Sequence, residues 1–226
     1  MIESRLFDGL SRRECEEILN AVGPSMKTYR KNEMVAEEGE RLDSVGIVSS
    51  GRINCTKFYY EGNSHILNVL LPKELLGLET VTTPSSISPM TFLAMEESSI
   101  LFFPFQALIG EKALAPDKRA RLMQNVIQLL ANEGIRQLYK AEVLGKKSLR
   151  ERILTHLCLM RQKFDSDTFT LGMNQEQFSQ YLCVNRSALS SQLNKMQKEG
   201  LISFRKDEFT INREGINWLD QKLKNK

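Results

Sequence analysis

In the stretch "NQEQFSQYLCVNRSALSSQLNKMQKEGLI", residues 174 to 202, Ser187, Ser190, Ser191 and Asn194 share one face of a predicted helix whose opposite face carries Leu189, Leu193 and Met196. Short hydroxyls and amides, with a guanidinium fork at Arg186, can exchange hydrogen bonds with the edges of base pairs. A slender helix carrying them fits a major groove about 12 Å wide. The chemistry these residues suit is therefore recognition of duplex DNA.

Such a face needs a support that holds it outward. Asn174 is placed to cap a first helix of about two turns, with Phe178, Tyr181 and Leu182 as its apolar side. "CVN" leaves room for a tight turn, Val184 can plug the angle, and Asn185 can cap the second helix. Gly200 stands where a left-handed C-terminal cap is required, and "LISFRKDEFTIN" reads as two short strands around a charged turn at Lys206 and Asp207. The pattern predicts a helix-turn-helix followed by a wing, with Lys206 on the wing facing phosphates. A plain αα-hairpin would account for the apolar back but not for the wing.

Charge supports this reading. Residues 146–226 hold fifteen Lys/Arg against nine Asp/Glu, whereas residues 1–145 hold sixteen against nineteen. The basic third is the one that carries the recognition face, as a polyanion partner requires.

The 226 residues, 41% of them hydrophobic, are enough for one large domain or two modest ones. The N-terminus "MIESRLFDGL" has early acids and no apolar run, and "ILFFPF" at 100 to 105 is far short of the ~20 residues of a membrane span. A soluble, cytoplasmic protein is expected. Cys15, Cys55, Cys158 and Cys183, with only His65 and His156 to support them, match no zinc, iron–sulfur or redox spacing and read as reduced thiols.

Upstream, "SRRECEEIL" at 11 to 19 reads as a short entry helix. From about Met26 to Phe105 the pattern is of many short strands, with period-two alternation in "SVGIVSSGRINCTKFYYEGNSHILNVLL". Gly39, Gly51, Gly62 and Gly77 supply turns, and Asn32 can also take a left-handed conformation. A β-barrel or roll is expected.

At Pro116, followed by Asp117, the period changes to that of a helix. Leu122, Met123, Val126, Ile127, Leu129 and Leu130 cover roughly 160° of its circumference, wider than the ~100° one contact needs. The helix should therefore have two partners, its own roll and the same helix of a second chain, with Met123, Val126, Ile127 and Leu130 at the dimer interface. Gly145 closes it, and "SLRE" at 148 to 151 has the spacing of a capping box opening a helix through about Met160. The expected organisation is an effector-sensing β-roll at 1–115, a dimerisation helix at 116–145 and a DNA-binding domain at 146–226, an α+β architecture.

With these elements in place, the chain resembles the CRP/FNR family of bacterial transcription regulators over nearly its whole length. The resemblance rests on "YRKNEMVAEEGE" with "SVGIVSSGRI", on "PKELLGLE", on the long helix, and above all on the ungapped run from 174 to 202. It implies a double-stranded β-helix (jelly-roll) sensor, a dimerising helix and a winged helix-turn-helix that binds a palindromic operator as a homodimer. It further implies base reading by Arg186, Ser187 and Ser191, with Asn185 and Ser190 beside them and Asn174 and Gln175 near phosphates. Better-known members usually carry Glu at position 187 and Arg at 191, so a different operator is expected. Cys183 stands where a Gly is more usual. RNA polymerase becomes a further partner if the protein activates transcription.

Members that sense cyclic AMP share a Gly-Glu followed, further on, by Arg-Ser or Arg-Thr. Here Gly77 precedes Leu78 and Glu79, and the later positions fall on Ser88 and Pro89. From Glu74 to Glu111 there is no Lys or Arg, so a buried cyclic phosphate would meet no cationic fork. Gly77, Leu78, Glu79 and Ser88 mark the effector pocket by position, but cyclic AMP is not the expected ligand. Backbone N–H groups alone can bind phosphate, so a cyclic-nucleotide-responsive regulator with an atypical pocket stands as the alternative. An iron–sulfur cluster needs four ligands where only Cys15 is offered, and haem on His65 would rest on a lone histidine in a strand. Neither is expected. A cupin-type metal enzyme shares the roll pattern, yet it gathers several His and carboxylate ligands where this roll has His65 alone, so no enzyme is expected. The effector is left open among an apolar small molecule, a protein partner and none.

Overall fold

The structure is a computed structural model, and it describes residues 4–60, 64–110 and 114–224. Gly62 and the side chain of His65 lie outside the described residues. The chain divides into two compact units, Met1–Gly134 and Ile135–Lys226.

The first unit opens with a 3-10 turn (Arg5–Phe7) and helix α1 (Arg12–Val22), which starts at a reciprocal capping box between Ser11 and Glu14. Then come β1 (Ser25–Tyr29), β2 (Met34–Ala36), β3 (Ser44–Ser50), β4 (Ile53–Phe58), β5 (Ser64–Leu70), β6 (Leu75–Leu76), α2 (Leu78–Val81), β7 (Thr91–Ala94), β8 (Ser98–Pro104) and α3 (Phe105–Ile109). Two four-stranded antiparallel sheets result, ordered β1-β8-β3-β6 and β2-β7-β4-β5. Val48, Leu76 and Ile100 from one sheet meet Ile53, Cys55, Phe92 and Ala94 from the other in a buried cluster. The roll expected from the alternation is thus a closed apolar sandwich. Asn32 (φ 66°) and Gly51 (φ 84°) turn the chain in the left-handed region, as foreseen.

Helix α4 (Pro116–Leu144) begins at the proline that predicts it, with Asp117 in its first turn. Leu122 and Val126 are buried with Leu6, Phe7, Ile18 and Phe103. Asn125 Nδ2 donates to the Leu6 and Asp8 carbonyls, both at 2.9 Å, and so ties the N-terminal segment to the helix. Near its other end Val143 is fully buried in the core of the second unit. One helix therefore feeds two cores. The division between the two compact units falls at Gly134, inside α4.

The four residues expected at the seam with a second chain differ in exposure within the single chain. Val126 is 5% exposed and spent on its own core, Met123 and Leu130 are partly buried, and Ile127 alone of the four is open, at 62%. Ile135, Leu138 and Tyr139, further along the same helix, are exposed as well.

The second unit continues with α5 (Leu149–Phe164), β9 (Thr168–Thr170), α6 (Gln175–Tyr181), α7 (Arg186–Lys198), β10 (Ile202–Arg205), β11 (Glu208–Ile211) and α8 (Arg213–Lys224). The Ser148–Glu151 capping box is formed, and α5 runs past Met160 to end at Asp165, which is itself left-handed. The wing has three strands, ordered β10-β11-β9; β9 and α8 are elements that the sequence reading does not include. No helix among the described residues is long and apolar enough to cross a membrane.

Candidate nucleic-acid interface

The geometry of the second unit follows from its caps. Asn174 Oδ1 accepts the Gln177 N–H at 2.9 Å while Gln177 Oε1 accepts the Asn174 N–H at 2.9 Å, so α6 begins at a closed reciprocal box. Its end is set by Cys183, which takes φ 56°. This left-handed turn is held by hydrogen bonds from the Cys183 N–H to the Gln180 carbonyl and from the Val184 N–H to the Ser179 carbonyl. Val184 packs against the core beneath the turn.

Helix α7 follows at once. Asn185 Oδ1 accepts the Ala188 N–H at 2.8 Å and also the Ser187 hydroxyl at 2.9 Å. The Ser187 donor is therefore committed within the protein, and its oxygen lone pairs are what it offers outward. Leu189, Leu193 and Met196 are completely buried, in one cluster with Phe178 of α6, Leu182 at its C-terminal cap, and Ile153, Leu154 and Leu157 of α5. That anchoring turns the opposite face out: Asn185, Arg186, Ser187, Ser191 and Asn194 are exposed, and Ser190 is half-buried. Asn174 is exposed and Gln175 partly so.

At the wing tip Lys206 is exposed and left-handed (φ 57°), next to exposed Arg205. The Leu171 N–H donates to the Asp207 carbonyl and the Ile211 N–H to that of Asp167, which fastens the wing to the strand before α6. Phe204 stacks on Phe209, and Phe209 meets Phe178 edge-on at 6.0 Å. The wing and α6 thus share one aromatic core.

Two residues at this site were missed in the sequence. Arg152 Nε donates to the Lys146 carbonyl at 3.1 Å and its Nη1 to the Leu182 carbonyl at 3.3 Å, joining the segment after α4 to the turn of the motif. Glu176, second in α6, lies 3.9 Å from Arg186. Both contacts bridge stretches apart in sequence, and no spacing rule finds them. Beneath α6, His156 is buried with its ring 4.6 Å from Tyr181 and 5.3 Å from Phe178, and neither ring nitrogen has a hydrogen-bond partner. Burial, with the Lys163 charge as a lesser cause, pushes its pKa down to about 4. Burial raises that of the Tyr181 phenol.

In the roll, the residues that mark the pocket by position are mostly committed elsewhere. Leu78 is packed in the core with Phe103 and Phe105, the buried Ser88 hydroxyl donates to the Met90 carbonyl at 2.6 Å, Gly77 is buried with φ 76°, and Glu79 is exposed. Leu78 and Ser88 are thus engaged by packing and by a local hydrogen bond. The four cysteines are free, with Cys55 buried and Cys183 exposed. Among the described residues no group of three or more His, Cys, Asp or Glu could hold a metal ion.

Comparison with known proteins gives a consistent result. A cyclic nucleotide-binding domain model matches residues 26–111, and a Crp-like helix-turn-helix domain model matches residues 151–215. The chain is 27% identical over 190 residues to the transcriptional activator protein FnrA of Stutzerimonas stutzeri, covering 82% of this chain and 75% of that protein. It is 25% identical over 209 residues to the regulatory protein HlyX of Actinobacillus pleuropneumoniae, covering 90% and 84%. Among solved structures, FixK2 from Bradyrhizobium japonicum has a TM-score of 0.60 at 22% identity, covering 89% of this chain and 96% of that one. CLP of Xanthomonas campestris, described as c-di-GMP responsive, has a TM-score of 0.64 at 16% identity, covering 89% and 99%. These structural likenesses concern the fold.

Proposed function

The chain belongs to the CRP/FNR family of DNA-binding transcription regulators, and from that premise we propose that it works as a cytoplasmic homodimer on a two-fold operator, reading bases through α7 under control of an effector other than a cyclic nucleotide. The observation that carries the DNA assignment is the outward polar face of α7, with Arg186 at its start, together with the exposed Lys206 at the wing tip. Arg186, Ser187 and Ser191 read base edges. Asn174, Gln175 and Lys206 position the protein on phosphates, and Asn185 and Ser190 support the reading face.

A helix of 13 residues extends about 20 Å, enough to lie along one major-groove segment. Two such helices from a dimer address half-sites about 34 Å apart. Because Ser187 and Ser191 are short and uncharged, base recognition depends heavily on Arg186, whose fork suits guanine O6 and N7.

The segment from 74 to 111 weighs against a cyclic phosphate as the effector. Residues 74 to 111 contain no Lys or Arg, and the Ser88 hydroxyl is already engaged within its own loop. A segment without cations leaves an apolar effector or a protein partner as the controlling partner in this reading. Neither haem nor an iron–sulfur cluster is called on in this reading, in which the role is regulatory rather than catalytic. RNA polymerase is a partner where the bound dimer activates.

Selection of genomic fragments by the purified chain, followed by footprinting, tests the proposal. Protected sites with two-fold symmetry and half-sites one helical turn apart are expected without added cyclic nucleotide. Binding that requires cyclic AMP, or a footprint without symmetry, would overturn it.

A further inference from the structure

The carboxylate of Glu176 sits on the outward side of the helix-turn-helix, where a surface built for a polyanion has least use for it. Its Oε2 lies 3.9 Å from Nε of Arg186, with side-chain exposures of 53% and 67%, and the contact crosses from the second residue of α6 to the first of α7. The N-terminus of α6 does not need it, because Asn174 and Gln177 already close that end. An acid there still interacts favourably with the helix dipole, which is the plain structural use to be tested against.

An arginine reads guanine by aiming two N–H groups at O6 and N7, and a long exposed side chain must first be confined to that pose. The Glu176 carboxylate approaches Arg186 through Nε beyond hydrogen-bond reach, so it acts on the guanidinium by charge, and an anion on that side favours poses in which the terminal amino groups are free to reach a base. In the hydrated free protein this ion pair is weak. Docking on DNA removes water around it and strengthens the attraction, at the moment when orientation matters.

We propose that Glu176 is a positioning residue for Arg186: it touches no base, but it holds the guanidinium in the orientation that selects guanine, and it accepts some repulsion from phosphates in doing so. The inference rests on Arg186 being a base reader.

The test uses the full-length chain and the operator obtained by selection, with the four bases placed in turn at the position where Arg186→Ala relaxes preference. Glu176→Gln is expected to reduce discrimination at that same position by about five- to tenfold, while affinity for unrelated DNA rises by about two- to fivefold. In the double variant, discrimination should fall no further than in Arg186→Ala alone, because the carboxylate acts only through the guanidinium. An equal change in affinity on all four bases would sink the proposal. So would relaxation at a different base that adds to the effect of Arg186→Ala, since the carboxylate would then be reading a base itself. A lowered thermal midpoint with base preference intact would leave Glu176 as a helix-terminus charge only. If Arg186→Ala leaves every preference unchanged, the base-reading assignment fails and this inference with it; if it relaxes a base that Glu176→Gln does not, only the inference fails.

Discussion

Single residues in the interface divide by what they touch. Arg186 offers a fork, so Arg186→Ala should cost about 1–3 kcal/mol on the preferred operator and relax one position per half-site. Lys206 offers a point charge at the wing tip, so Lys206→Ala should weaken binding on all sequences alike and shallow the log–log salt slope by about 1. Titration of the two variants against operator and random duplex at several salt concentrations separates these patterns; equal behaviour of both would contradict the division of roles. Asn185 acts inside the protein, accepting from Ala188 and Ser187. Its replacement by alanine should lower unfolding free energy by about 1 kcal/mol and disturb recognition through Ser187, measurable as a shifted urea midpoint.

At the scale of elements, α4 is the part whose chemistry is least satisfied within one chain. Ile127 at 62% and Leu138 at 70% exposure stand eleven residues apart, three helical turns, and so fall on one side of the helix. An apolar face left open on a long helix is what a parallel or antiparallel mate covers. Leu138→Glu should therefore shift the dimer toward monomer by more than tenfold in dissociation constant and abolish operator binding at low protein concentration. Sedimentation velocity gives the answer, and an undisturbed dimer would place the seam elsewhere. Val126→Glu should behave differently and destabilise the first unit, because Val126 lies in that unit's own core.

For the molecule as a whole, His156 makes stability sensitive to acid. Its folded pKa, about 4, lies below the ~6.5 of an unfolded histidine, so its neutral form is favoured by folding. The unfolded chain takes up the proton first as pH falls. The contribution is complete above pH ~6.5 and is lost between there and pH ~4, by about 3 kcal/mol. Chemical denaturation across that range should show the loss, and His156→Phe, which keeps an aromatic beside Tyr181, should flatten it. A slope unchanged by the substitution would assign the acid sensitivity to carboxylates instead.

Much of this protein was legible in the order of its residues. Local rules suffice for a cap, a turn or a period: Asn174, Asn185, Gly200, Pro116 and the Ser148–Glu151 box each act within a few neighbours, and each stands where the sequence places it. The polar and apolar faces of α7 follow from helical spacing in the same way. What local spacing does not contain is which distant group occupies a face. Only the tertiary structure could bury Val126 in its own unit, tie Arg152 to both Lys146 and Leu182, pair β9 with the wing, engage Ser88 with Met90, and bring the Glu176 carboxylate to Arg186. Periodicity decides that a side chain faces inward or outward, but its partner depends on how the chain returns on itself.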